Sequence, residues 1–414
     1  MKARIPSSVT DYFQKENICF FMSNFFLFAT NALYFGFMMA FLTSKGYSAF
    51  EAGLINSVSC VVSLFFQPLA GFITDTFLPM KKYVVLGGIG GVACIFLLPM
   101  LSGSIWGAVF AVLLYCVFFT PLSFLIDTWV VTLRDERPYI DYGKNRIGGS
   151  AGYAIMAAAA GGLVSFFHSY TVLFICGMIT ISCMVLSVLP LPTIPCRNAG
   201  GTRKERHDEA ASLRFGQALG ILLKNKTYLL FLLSSCGYNI AMKPCAVDMS
   251  YKIQEINGTD SQLGIALAVA AIFECPVLFV ITRFVRRFRL SALYVTSITF
   301  MAIRGALLAF APNFEVLLIS QIFQALSYGS YLAVSLEIVS RITPVNVRAT
   351  GITFMVGITS GVGGIIGTMG SGVLIDLWGV SRMAVVLTLI AAASALLYSI
   401  PMILDYRKDP NLVV

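Results

Sequence analysis

Phe118-Phe-Thr-Pro-Leu-Ser-Phe-Leu-Ile-Asp127-Thr-Trp-Val-Val-Thr-Leu-Arg134-Asp-Glu-Arg-Pro138-Tyr-Ile-Asp-Tyr142-Gly-Lys-Asn-Arg146-Ile-Gly-Gly-Ser-Ala-Gly-Tyr153 leaves one apolar run, crosses a short charged turn and enters a second run. Each run is long enough to belong to a membrane-spanning helix, and each carries one charge, Asp127 or Arg146. An ionisable side chain at membrane depth is costly, so it faces a protein-lined or watery interior and has a partner. Asp127 and Arg146 are expected to be that pair, one from each of two adjacent antiparallel helices. On the second helix Arg146, Gly149, Ser150 and Tyr153 fall at i, i+3, i+4 and i+7 and share a face. A cation, two small residues and an aromatic ring on one stripe suit a polar, ring-shaped solute.

Composition agrees with a membrane setting. Of 414 residues, 57% are hydrophobic and 12% charged, and the mean hydropathy is +0.83. Soluble domains carry roughly 25% charged residues. At roughly 20 residues per spanning helix, the chain has room for a dozen helices and no sizeable soluble domain. The net charge of +9 would suggest nucleic acid in a soluble protein; here positive cytoplasmic connections explain it, and no nucleic-acid partner is expected. The ten cysteines lie almost all in apolar runs without CxxC spacing and read as small hydrophobes, so no metal or cofactor is expected. Met1 to Glu16 is polar and lacks a signal-peptide core, which leaves the first span as its own insertion signal.

Twelve apolar segments follow, at about 17–43, 49–75, 83–101, 104–133, 145–167, 170–190, 225–250, 260–282, 290–311, 315–341, 348–375 and 381–404. The expected fold is an all-α integral membrane protein of two pseudo-symmetric six-helix bundles, 1–190 and 225–414, joined by a cytoplasmic loop, 191–224. Alternate connections hold Lys81 and Lys82; Arg134, Arg137 and Lys144; Arg197, Arg203, Lys204, Arg206 and Arg214; Arg283, Arg286, Arg287 and Arg289; Arg341 and Arg348; Arg407 and Lys408. The other side has only Lys45, Lys252 and Arg382. This asymmetry places both termini in the cytoplasm of a multi-pass cell-membrane protein. Gly71-x-x-x-Asp75 closes the second span on one side and Gly372-x-x-x-Asp376 closes the eleventh on the other, as inverted three-helix repeats would.

Six plus six spans, with Gly71-Phe-Ile-Thr-Asp75-Thr-Phe-Leu-Pro-Met-Lys81-Lys82 between the second and third, resemble the major facilitator superfamily. That superfamily is itself a standard example of nested repeats. The resemblance implies that Gly71, Asp75, Lys81 and Lys82 form a cytoplasmic gate, although Thr76 stands where a basic residue is usual and Pro79 where glycine is common. Within the superfamily, Asp127 with Tyr142-Gly-Lys-Asn-Arg146-Ile-Gly-Gly-Ser-Ala-Gly-Tyr153, and Thr299-Phe-Met-Ala-Ile-Arg304-Gly, resemble the lactose-permease and phenylpropionate-permease-like branch of oligosaccharide:proton symporters. By that likeness Asp127 and Arg146 hold the sugar, Tyr153 stacks on its ring, and Arg304 takes part in proton coupling. The branch's tenth-span histidine is missing. The only histidines are His168, at an outer helix end, and His207, in the central loop, so any proton carrier must be a carboxylate.

Asp127, Arg146, Lys243, Asp248, Glu274, Arg304 and Glu337 sit inside apolar segments. Mutual neutralisation between helices and function are both open to them. An arginine fork grips paired hydroxyls or a carboxylate through two parallel N–H bonds, which lysine cannot copy. In the seventh span Asn239 and Lys243 share a face beside Pro244, whose missing donor frees a carbonyl; Lys243 would favour an anionic cargo. Asp248 lies further out and either caps or pairs. Glu274, before Pro276, and Arg304 occupy neighbouring spans, and an acid that gains and loses an arginine partner is a proton switch. Glu337 is also a candidate for coupling, although Arg341 four residues later offers an ordinary helix pair. Gln324, Tyr328, Tyr331 and Ser335 form a polar stripe on the tenth helix. Asn31 and Tyr34 in the first span either line the cavity or bond neighbouring helices.

The glycine stretches lack the Lys-Ser/Thr ending of a phosphate loop and suit close helix packing. No Walker motif or nucleophile–base arrangement is present in the sequence, which argues against a pump or an enzyme. The expected activity is proton-coupled, alternating-access transport of a small polar solute, a sugar or oligosaccharide, by a monomer whose other partners are membrane lipids. The alternatives are an organic anion such as an aromatic acid, a nucleoside, an exporter, or a non-transporting sensor.

Overall fold

The computed structural model describes residues 14–137, 139–140, 142–194, 215–344 and 347–408. The amino-terminal polar segment, and the loop charges Arg197, Arg203, Lys204, Arg206, His207 and Arg214, lie outside them. The described chain is helical, with no strand among the described residues. In order it forms α1 (Lys15–Ser44), α2 (Ala49–Thr76), α3 (Met80–Ile95), α4 (Leu97–Leu101), α5 (Ile105–Glu136), α6 (Tyr142–Phe167) and α7 (Thr171–Val188). Then come α8 (Phe215–Lys224), α9 (Lys226–Val247), α10 (Met249–Glu255), α11 (Asp260–Arg287), α12 (Leu290–Ala309) and α13 (Phe314–Ile342). The last three are α14 (Arg348–Val356), α15 (Gly363–Trp378) and α16 (Val380–Lys408), with a π turn, Gly357–Val362, running between α14 and α15.

Among the described residues, eleven helical stretches are long and apolar enough to cross a membrane. The stretch expected at 225–250 falls short of that measure. It carries Lys226, Lys243, Ser234, Ser235 and Asn239, contains Pro244, and breaks into α9 and α10 at Asp248. Its polar residues Ser234, Ser235 and Asn239 are buried against other helices, which lets it be polar. Ser234 donates to Ser394 O at 2.8 Å, the Ser235 and Tyr294 hydroxyls meet at 2.8 Å, and Asn239 Nδ2 donates to Ser235 O at 3.0 Å and Tyr331 Oη at 3.1 Å. Buried polar groups without such partners would cost a few kcal/mol each.

The helices gather into two compact units. The first comprises residues 1–47, 61–203 and 259–272; the second 48–60, 204–258 and 273–414. The first half of α2 thus belongs with the second unit, and the first half of α11 with the first unit.

In the first unit, α6 lies against α1 at backbone distance. A Cβ on Gly148 would stand 2.5 Å from Phe21 O, and one on Gly152 only 2.1 Å from Phe25 O. Small residues permit such an approach between apolar helices, where dispersion and not the hydrophobic effect supplies the attraction. Behind this seam Tyr34 stacks on Tyr115 with centroids 4.0 Å apart, and Tyr115 on Phe119 at 4.9 Å. The start of α11 is held in the same way: Cβ atoms on Gly161 and Gly264 would lie 2.4 Å from Asp260 O and 2.3 Å from Ala157 O. The Tyr170 hydroxyl donates to Asp260 Oδ1 at 2.7 Å.

The second unit has a matching device. Asp376, at the end of α15, accepts from the Ala49 and Phe50 backbone N–H groups through its two separate oxygens, both at 2.9 Å. These are the otherwise unpaired donors at the start of α2, and a carboxylate there also meets the positive end of the helix dipole. Gly53 and Gly372 bring the two helices together; a Cβ on either would fall about 2.4–2.5 Å from the other helix's backbone. Asp376→Ala is therefore expected to cost about 1 kcal/mol, which raises amide hydrogen exchange at Ala49 and Phe50 about fivefold. Unchanged exchange would show that the two bonds hold nothing.

Candidate functional site

Arg146 and Asp127 meet, but loosely. Arg146 Nε stands 4.0 Å from Asp127 Oδ2, with the two side chains 35% and 27% exposed. The Tyr142 hydroxyl, one turn before Arg146 on α6, hydrogen-bonds both partners. The guanidinium lies over the ring of Phe28 from α1, its carbon 4.2 Å from the centroid. This is a cation–π seat, which suits a planar cation. Gly149 makes the seat possible, since a Cβ there would sit 2.7 Å from Arg146 Nη1 and 2.8 Å from Phe28 Cδ2. The second carboxylate oxygen, Asp127 Oδ1, is buried and has no hydrogen-bond partner among the described residues.

An open acceptor beside a fork of donors suits neighbouring hydroxyl groups, each of which gives one hydrogen bond and takes another. Tyr153 stands two turns beyond Arg146 on the same helix. Its hydroxyl is 3.6 Å from where a Cβ on Gly36 of α1 would be, and Leu267 of α11 is 3.2 Å from that point. Asn31 is half-buried one turn beyond Phe28 on the α1 face. The structure therefore joins Asp127 to Arg146 beside Phe28, and places Tyr153 two turns further along α6 beside Gly36 of α1. Tyr34 is elsewhere: it is 2% exposed and packed among Tyr115, Phe35 and Phe174.

The remaining expected residues spread through the chain. Asn239 is buried and committed to Ser235 and Tyr331. Lys243 is half-buried and makes no ion pair among the described residues; its Cγ lies 3.8 Å from a Cβ placed on Gly364, just past the π turn. Glu274 is half-buried in the second half of α11. Arg304 turns to α9 and donates from Nη2 to Cys245 O at 2.7 Å. Glu337 accepts from Arg341 Nε at 2.9 Å, and both are exposed. Gln324 and Tyr328 are half-buried on α13. Gly71 has only an ordinary neighbour in Phe124, while Asp75 and Lys82 are exposed. Lys81 caps the end of α7, donating to Leu189 O at 2.7 Å and Leu191 O at 2.8 Å.

Sequence reasoning did not single out Phe28, Tyr142 or Gly149's role in making room. Phe28 is one of many α1 aromatics, so periodicity alone could not select it. Tyr142 sits four residues before Arg146, a spacing that puts both on one face, and that was the available signal.

Eleven helical stretches long and apolar enough to cross a bilayer, among the described residues, make this a polytopic membrane protein. Residues 19–385 match the profile of the MFS_1 like family, and the chain belongs to that family, with the fold of the major facilitator superfamily. An uncharacterized transporter of Bacillus subtilis (strain 168), YwbF, is 24% identical over 372 residues, covering 86% of each chain. A maltose permease of Geobacillus stearothermophilus is 25% identical over 340 residues, 79% of each. Among solved structures, a variant of the nucleoside transporter NupG superposes with a TM-score of 0.82 at 18% identity, covering 92% of this chain and 98% of that one. The structural likeness speaks for the fold.

Proposed function

We propose that the protein is a secondary transporter that moves a small polar solute, a sugar, oligosaccharide or nucleoside, across the cell membrane by proton-driven alternating access, with both termini in the cytoplasm. The observation that carries the reading is the loose Asp127–Arg146 pair, in which one carboxylate oxygen is left open among the described residues and the guanidinium carbon stands 4.2 Å over the Phe28 ring. A tight structural ion pair would have used both groups up. The maltose permease relative supports a saccharide and the NupG likeness is compatible with a nucleoside. In this reading Asp127, Arg146, Tyr153 and Asn31 bind the solute; Gly71, Asp75 and Lys82 serve the cytoplasmic gate.

Lys243 favours a second reading. An ammonium within an apolar segment that makes no ion pair among the described residues suits a cargo that brings its own negative charge, such as an aromatic acid. Proteoliposomes separate the two readings. Radiolabelled maltose, uridine and benzoate are offered with and without an imposed inward proton gradient. Gradient-dependent accumulation of maltose or uridine is the expected result. Accumulation of benzoate alone, lost in Lys243→Ala, would replace the neutral solute by an anion. Uptake of all three equal to that of protein-free vesicles would reject transport of these classes.

A further inference from the structure

α11 runs out in Arg283-Phe-Val-Arg286-Arg287-Phe-Arg289, four arginines in seven residues, and no acidic residue occurs between Glu274 and Glu315. Arg283 and Arg287 are exposed and make no ion pair among the described residues. Like charges one turn apart on a helix repel each other. The negative end of the helix dipole offsets part of that repulsion, and an anion held between them removes the rest. Beside them Phe284 and Phe288 stack with centroids 5.0 Å apart and ring planes at 16°. Both rings are exposed, at 39% and 50%. Val280 and Pro276 continue the same i, i+4 ridge back along the helix and are exposed as well.

Membrane topology accounts for the number of these charges but not for their arrangement. The positive-inside rule counts lysine and arginine alike and is indifferent to their neighbours. Here the cations are guanidiniums, whose planar forks match a phosphate through parallel N–H bonds. Residues four apart on a helix have Cβ atoms roughly 5–6 Å apart, so one phosphate is within reach of both Arg283 and Arg287. The phenyl pair occupies the adjoining ridge, one residue further on, and sets apolar surface directly beside the charge. The apolar run 275–282 leads straight into the first arginine. Hydrocarbon along the helix and phosphate at its end is the layout of a phospholipid. A small soluble anion would leave the ridge unmatched, and so would an acidic peptide.

We propose that the end of α11 is a binding site for one anionic phospholipid. Its phosphate sits between Arg283 and Arg287, its glycerol backbone against Phe288, and one acyl chain along Phe284, Val280 and Pro276. A zwitterionic lipid is disfavoured, because it brings a cation of its own to a segment that already carries four and no acid. Occupancy relieves the repulsion between the two guanidiniums and so stiffens the last turns of α11. It requires neither solute nor ion gradient and is independent of the cargo.

Native mass spectrometry of the full-length protein released from detergent micelles reads the occupancy, with phosphatidylglycerol and phosphatidylcholine as probes. Wild type is expected to retain phosphatidylglycerol at least about tenfold more tightly than phosphatidylcholine. Arg283→Gln with Arg287→Gln is expected to weaken phosphatidylglycerol at least about tenfold. Phe284→Ala with Phe288→Ala is expected to weaken it about threefold or more. Lys45→Gln with Arg382→Gln removes equal charge from exposed positions elsewhere and leaves retention within about twofold. Gel filtration and melting temperature report folding. Where the glutamine pair does not fold, Arg283→Lys with Arg287→Lys takes its place; it keeps the charge, loses the forks and is expected to bind at least about threefold more weakly. Equal retention of the two lipids overturns the proposal, as does a glutamine or lysine pair that binds like wild type. A Lys45/Arg382 control that loses as much as the glutamine pair reduces the patch to undirected charge, and phenylalanine variants that bind like wild type remove the acyl seat; either result overturns it. Displacement of the lipid by millimolar inorganic phosphate would assign the arginines to a soluble anion and overturn it as well.

Discussion

Arg146→Lys is expected to abolish measurable uptake, with solute binding weakened at least ~100-fold and the fold intact. Lysine keeps the charge, so long-range attraction to Asp127 survives. What it loses is geometry. A guanidinium can give two parallel N–H bonds to a pair of oxygens, and a hydrogen bond to a charged group is worth about 1.5–3 kcal/mol. It also loses the guanidinium's place over Phe28, whose ring centroid is 4.2 Å from the guanidinium carbon, worth about 0.5–2 kcal/mol. Together these come to about 3 kcal/mol, which is two decades of affinity. The half-saturation concentration for exchange in proteoliposomes measures it, with circular dichroism as the check on folding. Arg146→Lys that exchanges solute like wild type would remove Arg146 from the binding site.

Gly152→Val is expected to destabilise the protein by at least ~3 kcal/mol and lower its melting temperature, whereas Gly162→Val further along α6 is nearly silent. A Cβ at Gly152 falls 2.1 Å from Phe25 O, 2.8 Å from its carbonyl carbon and 2.9 Å from its Cα. These are backbone atoms, so no rotamer change relieves the collision and α6 must part from α1. Overpacking a tight interior typically costs 1–3 kcal/mol, and more where backbone has to move, against a total stability of roughly 5–15 kcal/mol. At Gly162 a Cβ meets no atom within 4 Å, and surface changes of that kind stay within about 0.5 kcal/mol. Melting temperature in detergent and the monodisperse fraction on gel filtration compare the two variants. Equal behaviour would mean that the α1–α6 seam is not where the first unit is held.

The fold was readable because a bilayer allows so few solutions. A spanning segment must be helical and about 20 residues long, which is a strong pattern to find. The pattern weakened at 225–250, where α9 buries Ser234, Ser235 and Asn239 against other helices and polarity is no longer forbidden. Asp127 and Arg146 were legible as neighbours since a short turn joins their helices. Their surroundings were not, because Phe28 lies more than a hundred residues away and resembles every other aromatic of α1. Tyr34 shows the converse: an aromatic at helical spacing fits a cavity wall or a core equally well, and its stack with Tyr115 is a three-dimensional fact. Arg304 was visible as a buried charge, but its contact with Cys245 O depends on how α9 ends, which Pro244 hints at without naming the group that responds. Asp376 was visible as half of a repeated motif; the amides it holds are over three hundred residues distant.

The π turn at Gly357–Val362 has a practical consequence for anyone mapping the segment 348–378 by chemical labelling. A π turn holds one residue more than an α turn, so a helical wheel drawn straight through it is out of phase by about 100° beyond Val362. Accessibility of single cysteines placed along this segment will follow one sinusoid before the turn and another, displaced by a residue, after it. A fit with a single period would assign Thr368 and Ser371 to the wrong side of their helix.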